Sequence, residues 1–238
     1  MNIVAIIPAR SGSKGIPMKN IQKIAGRPLI EYTISSAKNS KKIDRVVVST
    51  DSNKIARIAK QAGAEVPFLR PKKISGDSSS TLDVVKHTLR FLFNNQSYVP
   101  DIIIILQPTS PLRTTRLIDK SIRVLKKSDT TSVITVSKIK THPYISFWYN
   151  KQYLKPFKSD FQKYNRRQKL PALYCPTGSI YTFWYETLKK YDSIYGPKIK
   201  PIIVKEAETN IDIDELFDLF ISEMAIKYWG KYKKRFFN

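Results

Sequence analysis

Ile3-Val-Ala-Ile-Ile-Pro-Ala-Arg-Ser-Gly-Ser-Lys-Gly-Ile-Pro-Met-Lys-Asn20 is the stretch on which the reading of the fold turns. Its first five residues are apolar and largely β-branched, which suits a buried strand. The stretch then breaks into small and cationic residues. Gly12 and Gly15 let the backbone bend and approach a ligand closely, and Pro8 and Pro17 stiffen the two ends of the bend. Arg10, Lys14 and Lys19 put three positive charges on one short loop. A strand opening into such a loop is a phosphate site in physical terms, because backbone N–H groups and cations together neutralise anionic oxygens. The Walker pattern is absent, since no Ser or Thr follows Lys14-Gly15, and so is the dinucleotide fingerprint G-x-G-x-x-G. Read alone, the loop also fits a basic surface turn.

Working outward, Leu29, Ile30, Thr33, Ile34 and Ala37 recur at helical spacing after Pro28. Arg45–Ser49 reads as the next buried strand. Thr50-Asp-Ser52 offers N-cap chemistry for a helix carrying Ile55, Ile58, Ala59 and Ala62 and closing at Gly63. A third strand is expected at about Ala64–Phe68, then a Ser-rich loop, Ser75 to Thr81. A helix marked by Leu82, Val85, Leu89 and Leu92 follows. Asp101-Ile-Ile-Ile-Ile-Leu106 shows no alternation and is expected to be a strand covered on both faces. A further helix carries Leu117, Ile118, Ile122 and Leu125, and a strand follows at Ser132–Ser137.

Alternating strands and helices with short connections imply right-handed crossovers and a mostly parallel sheet. The expected fold is therefore α/β and Rossmann-like, with helices on both faces and all 238 residues in one domain. Ligands in such sheets bind beyond the carboxyl ends of the strands. The opening basic loop, Arg70 with the Ser-rich loop, and Gln107-Pro-Thr-Ser-Pro111 are expected to converge there. Between about residues 138 and 173 the periodicity fails and aromatics crowd in (Tyr144, Phe147, Trp148, Tyr149, Tyr153, Phe157). That stretch reads as an arm buried against another subunit, or as a stacking surface for single-stranded nucleic acid. Gly178–Phe183 and Ile199–Val204 read as returning strands, and a helix is expected over roughly Glu215–Tyr228.

Asp212-Ile-Asp214 is the second strong feature. Residues i and i+2 of an extended segment share a face, so two carboxylates stand side by side and invite a hard cation such as Mg²⁺. The alternative is helix capping just ahead of Leu216, for which one aspartate suffices. His87 reads as surface or core edge. His142 could contact substrate or serve structure, and Cys175 reads as an inert buried thiol. No Ser-His-Asp constellation is visible, so positioning and charge stabilisation of a phosphoryl centre explain the chemistry better than a nucleophile does.

The formal net charge of +23 admits a polyanionic partner, or a Lys-rich background combined with a phosphate-binding task. Lysines are spread in pairs near helix ends, and only Lys231 to Arg235 forms a dense run. No nucleic-acid-binding motif accompanies them, so no nucleic-acid partner is expected. No apolar run approaches the ~20 residues that cross a bilayer, and no membrane partner is expected. The opening lacks the features of a signal peptide, and a single cysteine excludes an internal disulfide. Together these give a cytoplasmic expectation.

A-R-x-x-S-K-G-x-P-x-K-N, from Ala9 to Asn20, closely resembles the signature of the acylneuraminate (CMP-sialic acid synthetase) cytidylyltransferases. The resemblance continues through Val48-Ser-Thr-Asp51, Leu69-Arg-Pro71, Leu106-Gln-Pro-Thr-Ser-Pro-Leu-Arg113, Leu170-Pro171, Gly178-x-Ile-Tyr181 and Ile211-Asp-Ile-Asp214. It implies a nucleotide-diphospho-sugar transferase-like domain and a protruding arm, here residues 138–173, that reaches across a homodimer. It implies transfer of CMP from CTP to the anomeric hydroxyl of a nine-carbon α-keto sugar acid. Neuraminate, legionaminate and pseudaminate all remain open as that acid. Ala9, Arg10, Ser13, Lys14, Lys19 and Asn20 would cradle the CTP phosphates, with Arg10, Lys19 and Asp214 closest to the reaction. Arg70, Asp77 and Thr81 would recognise cytidine. Gln107, Arg167 and Tyr181 would hold the sugar acid, Arg167 in cis or from the partner, and Asp212 and Asp214 would hold Mg²⁺. Another sugar nucleotidyltransferase, or a basic nucleic-acid-binding protein, are the alternative readings.

Overall fold

The computed structural model describes residues 1–13, 15–159, 161–164 and 170–237. The chain begins with β1 (Ile3–Pro8), whose first five residues are fully buried. A small antiparallel ribbon, β2 (Lys23–Ile24) and β3 (Arg27–Pro28), leads into α1 (Leu29–Lys38). Next come β4 (Arg45–Ser49) and α2 (Asn53–Gln61), capped by the Ser52 side chain accepting from the Ile55 N–H. Then follow α3 (Thr81–Gln96), β5 (Ile102–Leu106), α4 (Thr115–Lys127) and β6 (Ser132–Lys138).

The aromatic stretch contains a short hairpin, β7 (Phe147–Tyr149) paired with β8 (Leu154–Pro156), and Trp148, Tyr149, Tyr153 and Leu154 stand exposed on it. After it come β9 (Tyr174–Trp184), α5 (Tyr185–Tyr191) and β10 (Ile199–Ile203). The chain ends in one continuous helix: α6 (Leu216–Met224), a π-helical segment (Ala225–Trp229) and α7 (Gly230–Phe237).

Six strands form one sheet in the order β10-β6-β9-β5-β1-β4. β1 runs parallel to both β4 and β5, and β10 is parallel to β6; β9 alone is antiparallel to its neighbours β5 and β6. Alternate residues sort the core into two layers. Ile3, Ala5 and Ile7 of β1 pack with Ile30, Ile34, Ile55, Ile118 and Ile122 on one face. Val4 and Ile6 pack with Val85, Leu89, Leu92 and Phe183 on the other. The continuous apolar run of β5 is explained by this double cover: all five of its residues are buried.

Two sequence expectations need correction. Ala64–Phe68 is not a strand: Glu65 makes an isolated parallel bridge to Val47 of β4, and a second bridge joins Leu69 to Thr50, just past the end of β4. Pro67 lies between them and has no N–H for a ladder, which breaks the pairing. The last helix does not stop near Tyr228 but runs on to Phe237, because the π turn absorbs the irregularity without breaking the backbone.

Candidate functional site

A cleft of about 190 Å³ opens at the carboxyl ends of β1 and β5. Arg10, Ser13, Lys19 and Asn20 line it from the opening loop, Arg70 and Thr81 from the segments after β4, and Gln107 and Thr109 from the loop after β5. The three expected loops therefore do converge.

The opening loop is tied down at both ends. The Asp51 carboxylate accepts from the Ser11 backbone N–H and from the Ser11 hydroxyl, each at 2.7 Å. The buried Asn20 side chain donates to the Arg10 carbonyl at 2.8 Å. Ala9 is wholly buried and its N–H bonds the Ser49 carbonyl at 2.9 Å, so it fixes the start of the loop from the core. Arg10 reaches across the cleft mouth to Asp77 at 2.5 Å. Arg70 is buried, and its Nε and Nη2 have no partner among the described residues. Burial, and then the neighbouring Arg10, hold its guanidinium below its ordinary pKa, while Asp51 offsets part of that. A buried guanidinium with two free donors on the wall of a cleft is poised to meet an anionic or carbonyl ligand.

The carboxyl-terminal acid pair joins the same place. Lys19 Nζ donates to the Ile213 carbonyl at 2.5 Å and lies 3.2 Å from an Asp214 carboxylate oxygen. A side chain on Gly15 would place its Cβ 2.4 Å from the Asp214 carbonyl oxygen. Gly178, at φ +73°, brings β9 so close that a Cβ there would sit 3.2 Å from the Asp212 carboxylate. Thr109 holds the pair from the other side: its carbonyl accepts from the Ile213 N–H at 2.9 Å, and its side chain hydrogen-bonds Asp212. Although open to solvent on one side, Asp212 has its carboxyl pushed up, first by lost hydration and then by Asp214 and Asp218.

Capping does not explain the acid pair. The Asp218 carboxylate accepts from the N–H groups of Asp214 and Glu215, each at 2.9 Å, and forms a capping box with Glu215. The two aspartate side chains are thereby left to another task.

Arg113 is a residue whose part the sequence did not reveal. It is buried and donates to the Gln107 carbonyl at 3.0 Å, the Ser179 carbonyl at 2.8 Å and the Thr33 hydroxyl at 2.7 Å. One side chain thus locks the β5 loop to β9 and α1, and burial lowers its pKa to about 9. Asp51 and Thr109 stand inside recognised motifs, yet only their contacts disclose what they hold.

Tyr181 stands on β9, and neither it nor Asp77, Asp212 or Asp214 is among the residues that line the cleft. Its phenol is pushed up to about 12 by lost hydration, with Tyr195 and Asp212 adding to the effect. Lys14 and Arg167 lie outside the described residues. His142 serves structure: Nδ1 accepts from the Tyr144 N–H at 3.1 Å, which leaves Nε2–H to face the Pro171 carbonyl at 3.1 Å. His87 is a core-edge residue packed edge-on to Phe68 at 4.7 Å. Cys175, expected to be buried, is exposed, because the first three residues of β9 run out past the covered part of the sheet.

Residues 4–223 match the family model described as Cytidylyltransferase. A CMP-N,N'-diacetyllegionaminic acid synthase of Legionella pneumophila is 35% identical over 230 residues, covering 95% of this chain and 97% of that protein. An N-acylneuraminate cytidylyltransferase of Escherichia coli is 33% identical over 94% of this chain and 51% of its own length. Among solved structures, a CMP:2-keto-3-deoxy-manno-octonic acid synthetase complexed with CTP superimposes with a TM-score of 0.69. The match covers 95% of this chain and 98% of that one at 16% identity, a likeness of fold.

Proposed function

We propose, from the premise that the chain belongs to the cytidylyltransferase family, that it transfers CMP from CTP to the anomeric hydroxyl of a nonulosonic acid, with release of pyrophosphate. The observation that carries this reading is the meeting of Lys19, which lines the cleft, with Ile213 and Asp214. A cationic loop and an acidic pair that close on each other suit a triphosphate with its cation. Relatives whose names specify legionaminic and N-acylneuraminic acids, matched over nearly the whole chain, support the nine-carbon acceptor.

In this reading Arg10, Ser13, Lys14, Lys19 and Asn20 cradle the triphosphate, and Arg70, Asp77 and Thr81 recognise cytidine. The bound nucleotide draws Arg10 away from Asp77 and gives the free donors of Arg70 their acceptors. The C2 hydroxyl oxygen of the sugar acid attacks the α-phosphorus. The bond from that phosphorus to the bridging oxygen breaks, pyrophosphate leaves with the electron pair, and the hydroxyl proton is released. Lys19 stabilises the charge growing on the α-phosphate oxygens, which is positioning and electrostatics rather than covalent catalysis. Gln107, Tyr181 and Arg167 hold the sugar acid.

Asp212 and Asp214 fit Mg²⁺. They are hard oxygen donors, the Asp212 pKa is raised by burial first and by the Asp214 charge after it, and an ion that keeps several waters needs few protein ligands. Held by these two residues, Mg²⁺ would neutralise and polarise phosphate oxygens. The exposed aromatic hairpin within residues 138–173 suits a second copy of the chain, so the working unit in this reading is a homodimer. CTP as donor, and a single cysteine, suit the cytoplasm.

The test is pyrophosphate release from each nucleoside triphosphate against a panel of sugar acids. Turnover is expected with CTP and a nonulosonate only, and it stops when EDTA removes the divalent ion. Turnover with another nucleotide, or with eight-carbon acids alone, would overturn the assignment.

A further inference from the structure

We propose that the C-terminal helix is a docking face for an anionic membrane surface. The dense basic run Lys231 to Arg235 finds no use in the cleft, and the structure sets it beside an unpartnered apolar stripe. Phe217, Phe220, Ile221, Tyr228, Tyr232 and Phe236 are each between 37% and 67% exposed, far above what large apolar side chains show in a core.

These residues share one face because of the π segment. At 3.6 residues per turn, an uninterrupted α-helix would carry Phe236 roughly a quarter turn away from Phe217. The wider turn at Ala225–Trp229 takes that rotation back, so the stripe runs the length of the helix. Its rings form a ladder: Phe217 with Phe220 at 6.2 Å, Trp229 stacked on Tyr232 at 5.8 Å, and Tyr232 with Phe236 at 5.2 Å.

The charges around the stripe choose the occupant. Lys227 is paired with Glu223, and Lys233 with Glu208. Among the described residues Lys231, Lys234 and Arg235 make no ion pair, and all three are exposed. Aromatic residues along one side of a helix with free cations beside them match an interfacial helix that lies in the headgroup layer. No helix among the described residues is long and apolar enough to cross a membrane, so the contact is peripheral. A second copy suits the face less well, since a self-complementary contact would bring two sets of unpaired cations together. Single-stranded nucleic acid suits it less well too, because stacking sites for it lie in grooves and this stripe is on a convex helix. The expectation of no membrane partner rested on the lack of a spanning run, and an interfacial helix needs none.

The experiment is flotation of the full chain with vesicles of phosphatidylcholine alone or with added phosphatidylglycerol. The anionic vesicles are expected to bind at least about tenfold more protein, with the excess lost in molar salt. Lys231→Glu/Lys234→Glu/Arg235→Glu and Tyr232→Ser/Phe236→Ser should each cut that binding by about tenfold or more, given roughly a fivefold contribution per cation. Turnover in solution should be unchanged in both. The charge variant alters only exposed side chains, so it keeps the test decisive if the aromatic variant melts early. Equal binding to both vesicle types, or undiminished binding by the charge variant, would overturn the proposal. So would failure to float combined with a self-association, or a single-stranded RNA complex, that Tyr232→Ser/Phe236→Ser abolishes.

Discussion

The ammonium of Lys19 lies 3.2 Å from the carboxylate of Asp214, a residue 195 positions further along the chain. The first loop of the sheet, which lines the cleft through Lys19, thus meets the segment before the last helix. Lys19→Ala is expected to leave the fold intact, since Asn20 and Asp51 still anchor the loop. It should lower kcat by about 10²–10³-fold, the usual loss on removing one charge-stabilising donor. Steady-state pyrophosphate release checks this, and a change in KM alone would remove Lys19 from the transition state.

Asp212→Asn separates stability from function. The folded carboxyl titrates above its unfolded value, so between those two values the native state holds more protons than the unfolded one. Stability therefore falls as pH rises through that window, and the amide should melt higher than the wild type at neutral pH. The gain stays below about 1 kcal/mol because solvent screens the group. Activity should be lost all the same, and added Mg²⁺ should stabilise the wild type only. Melting curves across pH, with and without Mg²⁺, give both answers.

Gly15 and Gly12 give a contrast within one loop. Alanine at Gly15 collides with the Asp214 backbone at 2.4 Å, whereas at Gly12 the new Cβ meets nothing within 4 Å. Gly15→Ala should cost about 10–100-fold in turnover by pushing the loop and the acid pair apart. Gly12→Ala should be near neutral in melting temperature, and its activity shows whether the ligand itself needs that space.

Arg113→Met should destabilise by roughly 3–5 kcal/mol, because it strands buried acceptors that the guanidinium now serves. Arg113→Lys restores a charge but not the fork, and it should melt between the two. Chemical denaturation measures the order.

Much of this was legible in the residues. The apolar run Ile102–Leu106 and the helical spacing Leu29 to Ala37 report burial directly, and both form the element their period implies. The convergence of the loops followed from the parallel order of the strands. What the sequence hid was of two kinds. Breaks in regularity depend on neighbours: Pro67 reduces an expected strand to bridges, and a π turn extends a helix past its expected end. Long-range polar contacts leave no local period either, so the clamp made by Arg113 and the hold of Thr109 on Asp212 could not be seen beforehand.

A crystal structure of the chain with CTP and Mn²⁺, the ion located by its anomalous signal, shows whether the basic loop and the acid pair serve one nucleotide. The triphosphate is expected along Arg10 to Asn20, with the ion between its oxygens and the carboxylates of Asp212 and Asp214. Nucleotide bound elsewhere, or an ion that touches neither aspartate, would contradict it.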